Sequence, residues 1–156
     1  MDPVAHPLPG MLTPGPGSMN VMIGMKPAWR GVMAAVGAAL QGPHTAALAT
    51  IQGLVAATAA AVGPAVPIAY AAEQAGKAAA LAAMSSAIMS AAAGADIHQC
   101  LVPLPVPPHG PGVVIDGSAT VMINNLPACR IGDTILEAVG PPDKIVMGEP
   151  TVIIGG

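Results

Sequence analysis

The chain has 156 residues, a length that suits one domain with an insertion or two small domains. Charged residues make up 8% and aromatics 1%, with no Phe, so a core has to be filled by Val, Ile, Met and Ala. A net charge of −3 with five Lys and Arg argues against nucleic-acid binding, two Cys exclude a disulfide framework, and a hydrophobic share of 53% argues against disorder despite 18 Pro and 19 Gly.

The start, Met1-Asp2-Pro3, lacks the basic and apolar regions of a secretory signal. Synthesis in the cytoplasm is expected, with any later export by another route. Residues 2–30 are rich in Pro and Gly with short apolar runs. Within them, the stretch from Gly17 through Ser18, Val21-Met22-Ile23, Gly24-Met25 and Pro27-Ala28-Trp29-Arg30 reads as strand, tight turn, strand.

Residues 31–94 are dominated by Ala, and no charged residue lies between Arg30 and Glu73. This segment predicts two or three helices, broken near Gly42-Pro43 and between Gly63 and Pro67. Glu73 and Lys77 stand in i,i+4 relation, and Leu81, Met84 and Ile88 share one face. The uncharged stretch from Thr45 to Ala72 is long enough to span a bilayer, yet it is mostly Ala and is interrupted by Pro. A close-packed helical hairpin is the plainer expectation. Met22, Met25, Met84 and Met89 would suit adaptable contacts with a cargo protein or chaperone, although Met at helix or strand spacing is more often plain core. His44, after Gly42-Pro43, reads as a turn or helix-start residue.

Residues 95–156 return to the Pro/Gly-rich pattern, so 1–30 and 95–156 are expected to form one discontinuous β unit around the helical insertion 31–94. A second copy of the first motif runs from Gly117-Ser118 through Val121-Met122-Ile123 and Asn124-Asn125 to Pro127-Ala128-Cys129-Arg130 and aligns with the first without a gap. A shorter third copy runs from Gly148 to Gly156. A short hairpin cannot bury an apolar face alone, whereas three copies around one axis can. The expected fold is therefore mainly β: three quasi-repeated β hairpins forming a cone with pseudo-threefold symmetry, plus the Ala-rich helical insertion.

Pro127-Ala128-Cys129-Arg130 and Pro27-Ala28-Trp29-Arg30 resemble the Pro-Ala-Ala-Arg signature of the PAAR-repeat proteins. Ile131-Gly132-Asp133 and Gly140-Pro141-Pro142-Asp143-Lys144-Ile145 fit the same pattern, and Asp96-Ile97-His98-Gln99-Cys100 is similar to that family's Asp-x-His-x-Cys stretch. The resemblance covers both flanks and not residues 31–94. Three departures stand out. Trp29 replaces a small residue, and the Asp expected after Arg30 comes only at Asp96. A Cys that the family often has near Leu136-Glu137 is absent. The insertion thus falls between the Arg and the Asp of one repeat.

The resemblance implies a β cone on the spike of a type VI secretion system or a related contractile injection machine. A trimeric, VgrG-like spike protein would hold the base, and the point would lead through a target membrane. His6 and His109 lie where the family places further His residues. A narrowing tip has no room for an oily core, and a structural Zn²⁺ bound by His6, His98, Cys100 and His109 would supply cohesion. His98 and Cys100 are two apart, so an extended chain puts both on one side. Cys129, the rival thiolate, occupies the place of Trp29 and reads as packing. Four protein ligands leave no open coordination position, and no acidic residue takes a helical metal-protease spacing, so no catalytic residue and no cofactor-binding residue beyond the zinc ligands are expected.

The expected function is that of a non-enzymatic spike tip that docks an effector or chaperone through residues 31–94, binds no nucleic acid and touches membrane only transiently. The competing expectation is a membrane-active effector working through the insertion; a small metal hydrolase is a third.

Overall fold

The computed structural model describes residues 11–12, 17–100 and 109–155. In chain order the elements are β1 (Met11–Leu12), β2 (Met22–Ile23), β3 (Lys26–Pro27), α1 (Ala34–Ala60), α2 (Ala65–Ala92), β4 (His98–Cys100), β5 (Gly110–Val114), β6 (Met122–Ile123), β7 (Leu126–Pro127), β8 (Thr134–Glu137) and β9 (Asp143–Lys144).

The expectation of a mainly β chain is wrong. Helices of 27 and 28 residues outweigh strands of two to five residues, and the molecule is mixed: a helical hairpin and a small curled antiparallel sheet. The reason lies in residues 31–94, where Ala, the strongest helix former, builds two long helices. Nor do three hairpins form. Copies one and two make the hairpins β2–β3 and β6–β7, whereas no strand occurs in residues 148–155. Residues 148–156 align with the first arm and turn of the other two copies.

The two hairpins repeat each other bond for bond. Their turns place Gly24 and Met25 at φ 56° and 62°, and Asn124 and Asn125 at φ 53° and 64°, the doubly left-handed turn that suits a two-residue hairpin. Ser18 Oγ accepts from Val21 N at 3.1 Å, and Ser118 Oγ accepts from Val121 N at 3.0 Å. Copies one, two and three also touch in rotation. Ser18 Oγ donates to Asn124 Oδ1 at 2.6 Å, and Ser118 Oγ donates to the carbonyl of Gly155 at 2.5 Å. Glu149, aligned with Ser18 and Ser118, lays its carboxylate on Gly24, leaving no room there for a Cβ. Equivalent residues Ile23, Ile123 and Ile154 share one small apolar cluster between the copies.

Strands β1, β4, β5, β8 and β9 make the antiparallel sheet in that order. Its pleat sorts side chains by period two. Val113 and Leu136, directly opposite one another, join Leu40 of α1 and Met84, Ile88 and Ala92 of α2 in the main core. Val114 and Ile135 point to the other face, where Ile145, Trp29 and Cys129 pack on them.

Helix α1 runs through Pro43 without a break, against expectation. Leu40 and His44, on either side of the proline, are both buried, and this tertiary anchoring outweighs the one lost backbone bond. The break between Gly63 and Pro67 is narrower than expected: residues 61–64 make the turn, and Pro67 lies in the first turn of α2, where an N–H has no helical acceptor to lose. The uncharged stretch Thr45–Ala72 is therefore two helix segments around a bend. Glu73 and Lys77 form their i,i+4 ion pair on α2. Lys77 first, then the Thr58 hydroxyl, hold the Glu73 carboxyl below its ordinary range.

Candidate metal centre

The site is assembled on the sheet face opposite Val113 and Leu136. Antiparallel register places His98 of β4 opposite Gly112 of β5, and Gly112 opposite Glu137 of β8. All three share one pleat direction, and the central residue has no side chain. His98 and Glu137 therefore meet across Gly112, with His98 Nε2 3.1 Å from Glu137 Oε1. A Cβ on Gly112 would come within 2.8 Å of Ile135 and 3.2 Å of the Glu137 side chain. Cys100, two residues after His98, faces the same way opposite Gly110. His98, Cys100 and Glu137 each show 0% exposure.

His109, just before β5, reaches Glu137 from the other side, with Nδ1 2.6 Å from Oε2. The separation is that of an ion pair, yet His109 Nδ1 makes no hydrogen bond of acceptable angle. Ring and carboxylate converge on the same small space. One donor atom each from His98, Cys100 and Glu137 lies within 4.8 Å of the others, and the same holds for His109, Glu137 and Asp143.

Imidazole nitrogen, thiolate sulfur and carboxylate oxygen are the three donor types that zinc accepts from proteins. A thiol, two imidazoles and a carboxylate in so dry a pocket would be costly without a shared counter-charge. The donor set thus fits a structural zinc ion. Of the four ligands expected from sequence, the structure gathers His98 and Cys100, and brings His109 beside them through Glu137; His6 lies outside the described residues. Glu137 was missed. Its signal was available, because it stands next to the place where the resembled family often carries a Cys. Cys129 sits apart from both donor groups, packed with Trp29, Val114, Ile135 and Ile145. Burial, reinforced by Asp133, Asp96 and Asp116, pushes its thiol well above the ordinary range, so it stays protonated.

The start of β4 is fixed by Asp96, two residues before His98. Its carboxylate accepts from Gly17 N at 2.7 Å, Arg30 N at 2.7 Å, Arg30 Nε at 3.0 Å and Arg30 Nη2 at 2.9 Å. This bonding holds the Arg30 guanidinium above its ordinary pKa. The second copy repeats the arrangement with Asp133, which accepts from Arg130 N at 2.7 Å and from Arg130 Nη2 at 3.0 Å. The partners are 66 residues apart in the first copy and three apart in the second. The helical hairpin occupies the interval between Arg and Asp.

His44 of α1, expected at a turn or helix start, instead lies well inside the helix and is 5% exposed. Burial lowers its pKa below the ordinary value, an effect that the nearby Gly140 backbone partly offsets.

Residues 104–156, about a third of the chain, match the family model described as the PAAR motif. No curated protein matches, and no solved structure matches. The chain thus carries a PAAR motif that includes His109, Glu137 and the second and third copies. Such a motif implies a spike-tip protein of a type VI secretion system that binds the VgrG spike and is delivered by that system. The PAAR family is generally non-catalytic, and its domains bind zinc.

Proposed function

We propose that the whole chain acts as a non-enzymatic spike tip, with residues 1–30 and 95–156 forming the part that seats on the spike and residues 31–94 forming an accessory helical unit. The observation that carries this reading is the rotational contact among the three copies. Met22, Met122 and Ile153 occupy equivalent places in them and are 55%, 43% and 95% exposed. Three equivalent apolar side chains around Ile23, Ile123 and Ile154 give a surface suited to the blunt end of a trimer, one copy per spike chain. In this reading a zinc ion held by His98, Cys100, His109 and Glu137 braces the sheet and performs no reaction.

The helical unit is the part available for an effector or chaperone, since α1, α2 and the turn between them leave Val55, Val62, Val66, Ile68 and Tyr70 exposed. The alternative, a membrane-active effector, has one observation in its favour. Helix α2 is long and apolar enough to cross a bilayer by length and composition. Against it, Glu73, Lys77, Met84 and Ile88 of that helix are buried against other parts of the protein.

The test is capture by a purified trimeric spike protein, alongside metal analysis. Wild type should be retained at one chain per trimer, and Met22→Glu combined with Met122→Glu should abolish retention while preserving the far-ultraviolet spectrum. Equal retention of the double variant would refute the docking face.

A further inference from the structure

Two of the candidate donors and one further carboxylate stand in a row across one face of the sheet. His98 on β4 is opposite Gly112 on β5, which is opposite Glu137 on β8. Asp143 on β9 is opposite Ile135, two residues before Glu137, so Asp143 and Glu137 are diagonal neighbours on that face. Strand β9 comes last in the sheet order, so the row runs from the interior to an edge. Exposure follows the row. His98, Cys100 and Glu137 are fully buried, whereas the His109 side chain is 14% exposed and Asp143 is partly exposed.

Among the described residues, two donor groups overlap here, and Glu137 belongs to both. Its Oε1 lies 3.1 Å from His98 Nε2, and its Oε2 lies 2.6 Å from His109 Nδ1. The inner group, His98, Cys100 and Glu137, offers nitrogen, sulfur and oxygen. The outer group, His109, Glu137 and Asp143, offers nitrogen and oxygen only. The chain between β8 and β9 holds the outer group together. Val139 N donates to the His109 carbonyl at 3.0 Å. Gly140, at φ 102°, lies so close to the imidazole that a Cβ there would sit 3.0 Å from Nε2. Pro141 and Pro142 restrict the backbone just before Asp143.

We propose that the outer group is the entry position of the metal centre: Asp143, His109 and Glu137 take an incoming divalent ion at the sheet edge, and Glu137 passes it to His98 and Cys100 as Asp143 lets go. The inference rests on the reading of the cluster as a metal site. Donors with 0% exposure have no direct access to solvent, so an ion meets the partly exposed outer group first. Two carboxylates beside an imidazole attract a dication and raise its rate of arrival. Oxygen and nitrogen donors accept many divalent ions, whereas the Cys100 sulfur favours zinc over the harder ones. The outer group admits and the inner group selects.

The experiment uses the full chain stripped of metal. Stopped-flow mixing with Co²⁺ gives the loading rate, transfer from the loaded chain to a chromophoric chelator gives the release rate, and the Co²⁺ spectrum reports the resting donors. Asp143→Asn should slow loading and release alike, by about tenfold, because a ligand used only in passage lowers the barrier in both directions. The dissociation constant and the resting spectrum, with its Cys100 charge-transfer band, should match wild type. Asp143→Glu should restore much of the rate. Glu149→Gln removes the same charge outside both donor groups and should leave both rates unchanged.

Wild-type loading in Asp143→Asn would overturn this inference alone. So would faster release with an altered spectrum, which would make Asp143 a resident ligand, or equal slowing in Glu149→Gln, which would reduce the effect to net charge. A wild-type chain that binds neither zinc nor Co²⁺ would overturn it together with the metal reading. Should Asp143→Asn not fold, Asp143→Ser carries the same comparison.

Discussion

Asp96 and Asp133 offer an internally controlled test of how the insertion is tolerated. Each aspartate binds the backbone N–H and the guanidinium of the Arg that ends its copy. Asp96 also takes Gly17 N, and its side chain is 0% exposed with Arg30 at 14%. For Asp133 and Arg130 the corresponding values are 6% and 25%; each guanidinium also donates through Nη2 to a backbone carbonyl, Gly17 for Arg30 at 3.3 Å and Asp116 for Arg130 at 3.1 Å. Removing Asp96 strands a buried charge and two backbone N–H groups. Breaking such a pair costs about 3–5 kcal/mol. Removing Asp133 leaves a more exposed guanidinium and one backbone N–H, at a cost of about 1–2 kcal/mol. In a chain of this size the first loss corresponds to a fall in Tm of on the order of 10 °C and the second to a few degrees. Urea denaturation of Asp96→Ala and Asp133→Ala, both loaded with metal and followed by circular dichroism at 222 nm, would measure the difference. Equal losses, or a larger loss for Asp133→Ala, would refute the claim that the long-range pair closes the structure around the insertion.

Three further outcomes follow from the same geometry. Gly112→Ala should lower stability by about 1–3 kcal/mol and release metal, because the new methyl meets Ile135 and parts His98 from Glu137; full metal content by mass spectrometry would contradict this. Glu137→Gln should weaken metal retention in equilibrium dialysis, whereas Cys129→Ser should retain wild-type stoichiometry; loss of metal from the latter would make Cys129 a ligand. His44 should confer a pH dependence of known sign. Its folded-state pKa lies below the ordinary value of 6.5, so the folded protein binds that proton less readily than the unfolded chain. Stability is full above about 6.5 and falls as pH drops through the lower folded value. The difference in melting temperature between wild type and His44→Gln, which share Asp116 and every other nearby titrating group, should shrink on acidification; a gap constant from pH 7.5 to 5 would contradict the assignment.

The repeats were legible because a tight turn leaves a local mark. Gly24-Met25 and Asn124-Asn125 announce positive φ, and Ser18 and Ser118 fix the approach to each turn. The ion pair of Glu73 and Lys77 and the shared face of Met84 and Ile88 were equally local, following helical spacing. The error over fold class came from weighing motif over length: two hairpins of two-residue arms define the pattern, yet the alanine helices contain more of the chain. Glu137 had only the family's neighbouring Cys position to mark it, because its role comes from register. Nothing near residue 137 in sequence says that Gly112 and then His98 stand across from it. The burial of His44 was hidden for the same reason, since it arises only when α1 lies on the sheet.

That register also bears on why the insertion sits where it does. An antiparallel helical hairpin returns the chain close to where it left, so Arg30 and Asp96 can bind as closely as Arg130 and Asp133 although separated by 66 residues instead of three. The entropic cost of closing so long a loop rises only slowly with length, and a hairpin that packs its own faces and the sheet offsets much of it. The near ends of the helices are constrained: Gly37 is pressed against Ile115, Leu40 and Met84 lie in the core, and His44 is buried. The far end, around the turn at 61–64, buries no residue between Thr45 and Ala72 and carries no charge. Packing therefore divides the insertion into a half committed to the sheet that carries the candidate metal centre and a half whose sequence the fold does not dictate. It is in that second half that a surface can change without disturbing the three copies or the candidate donors.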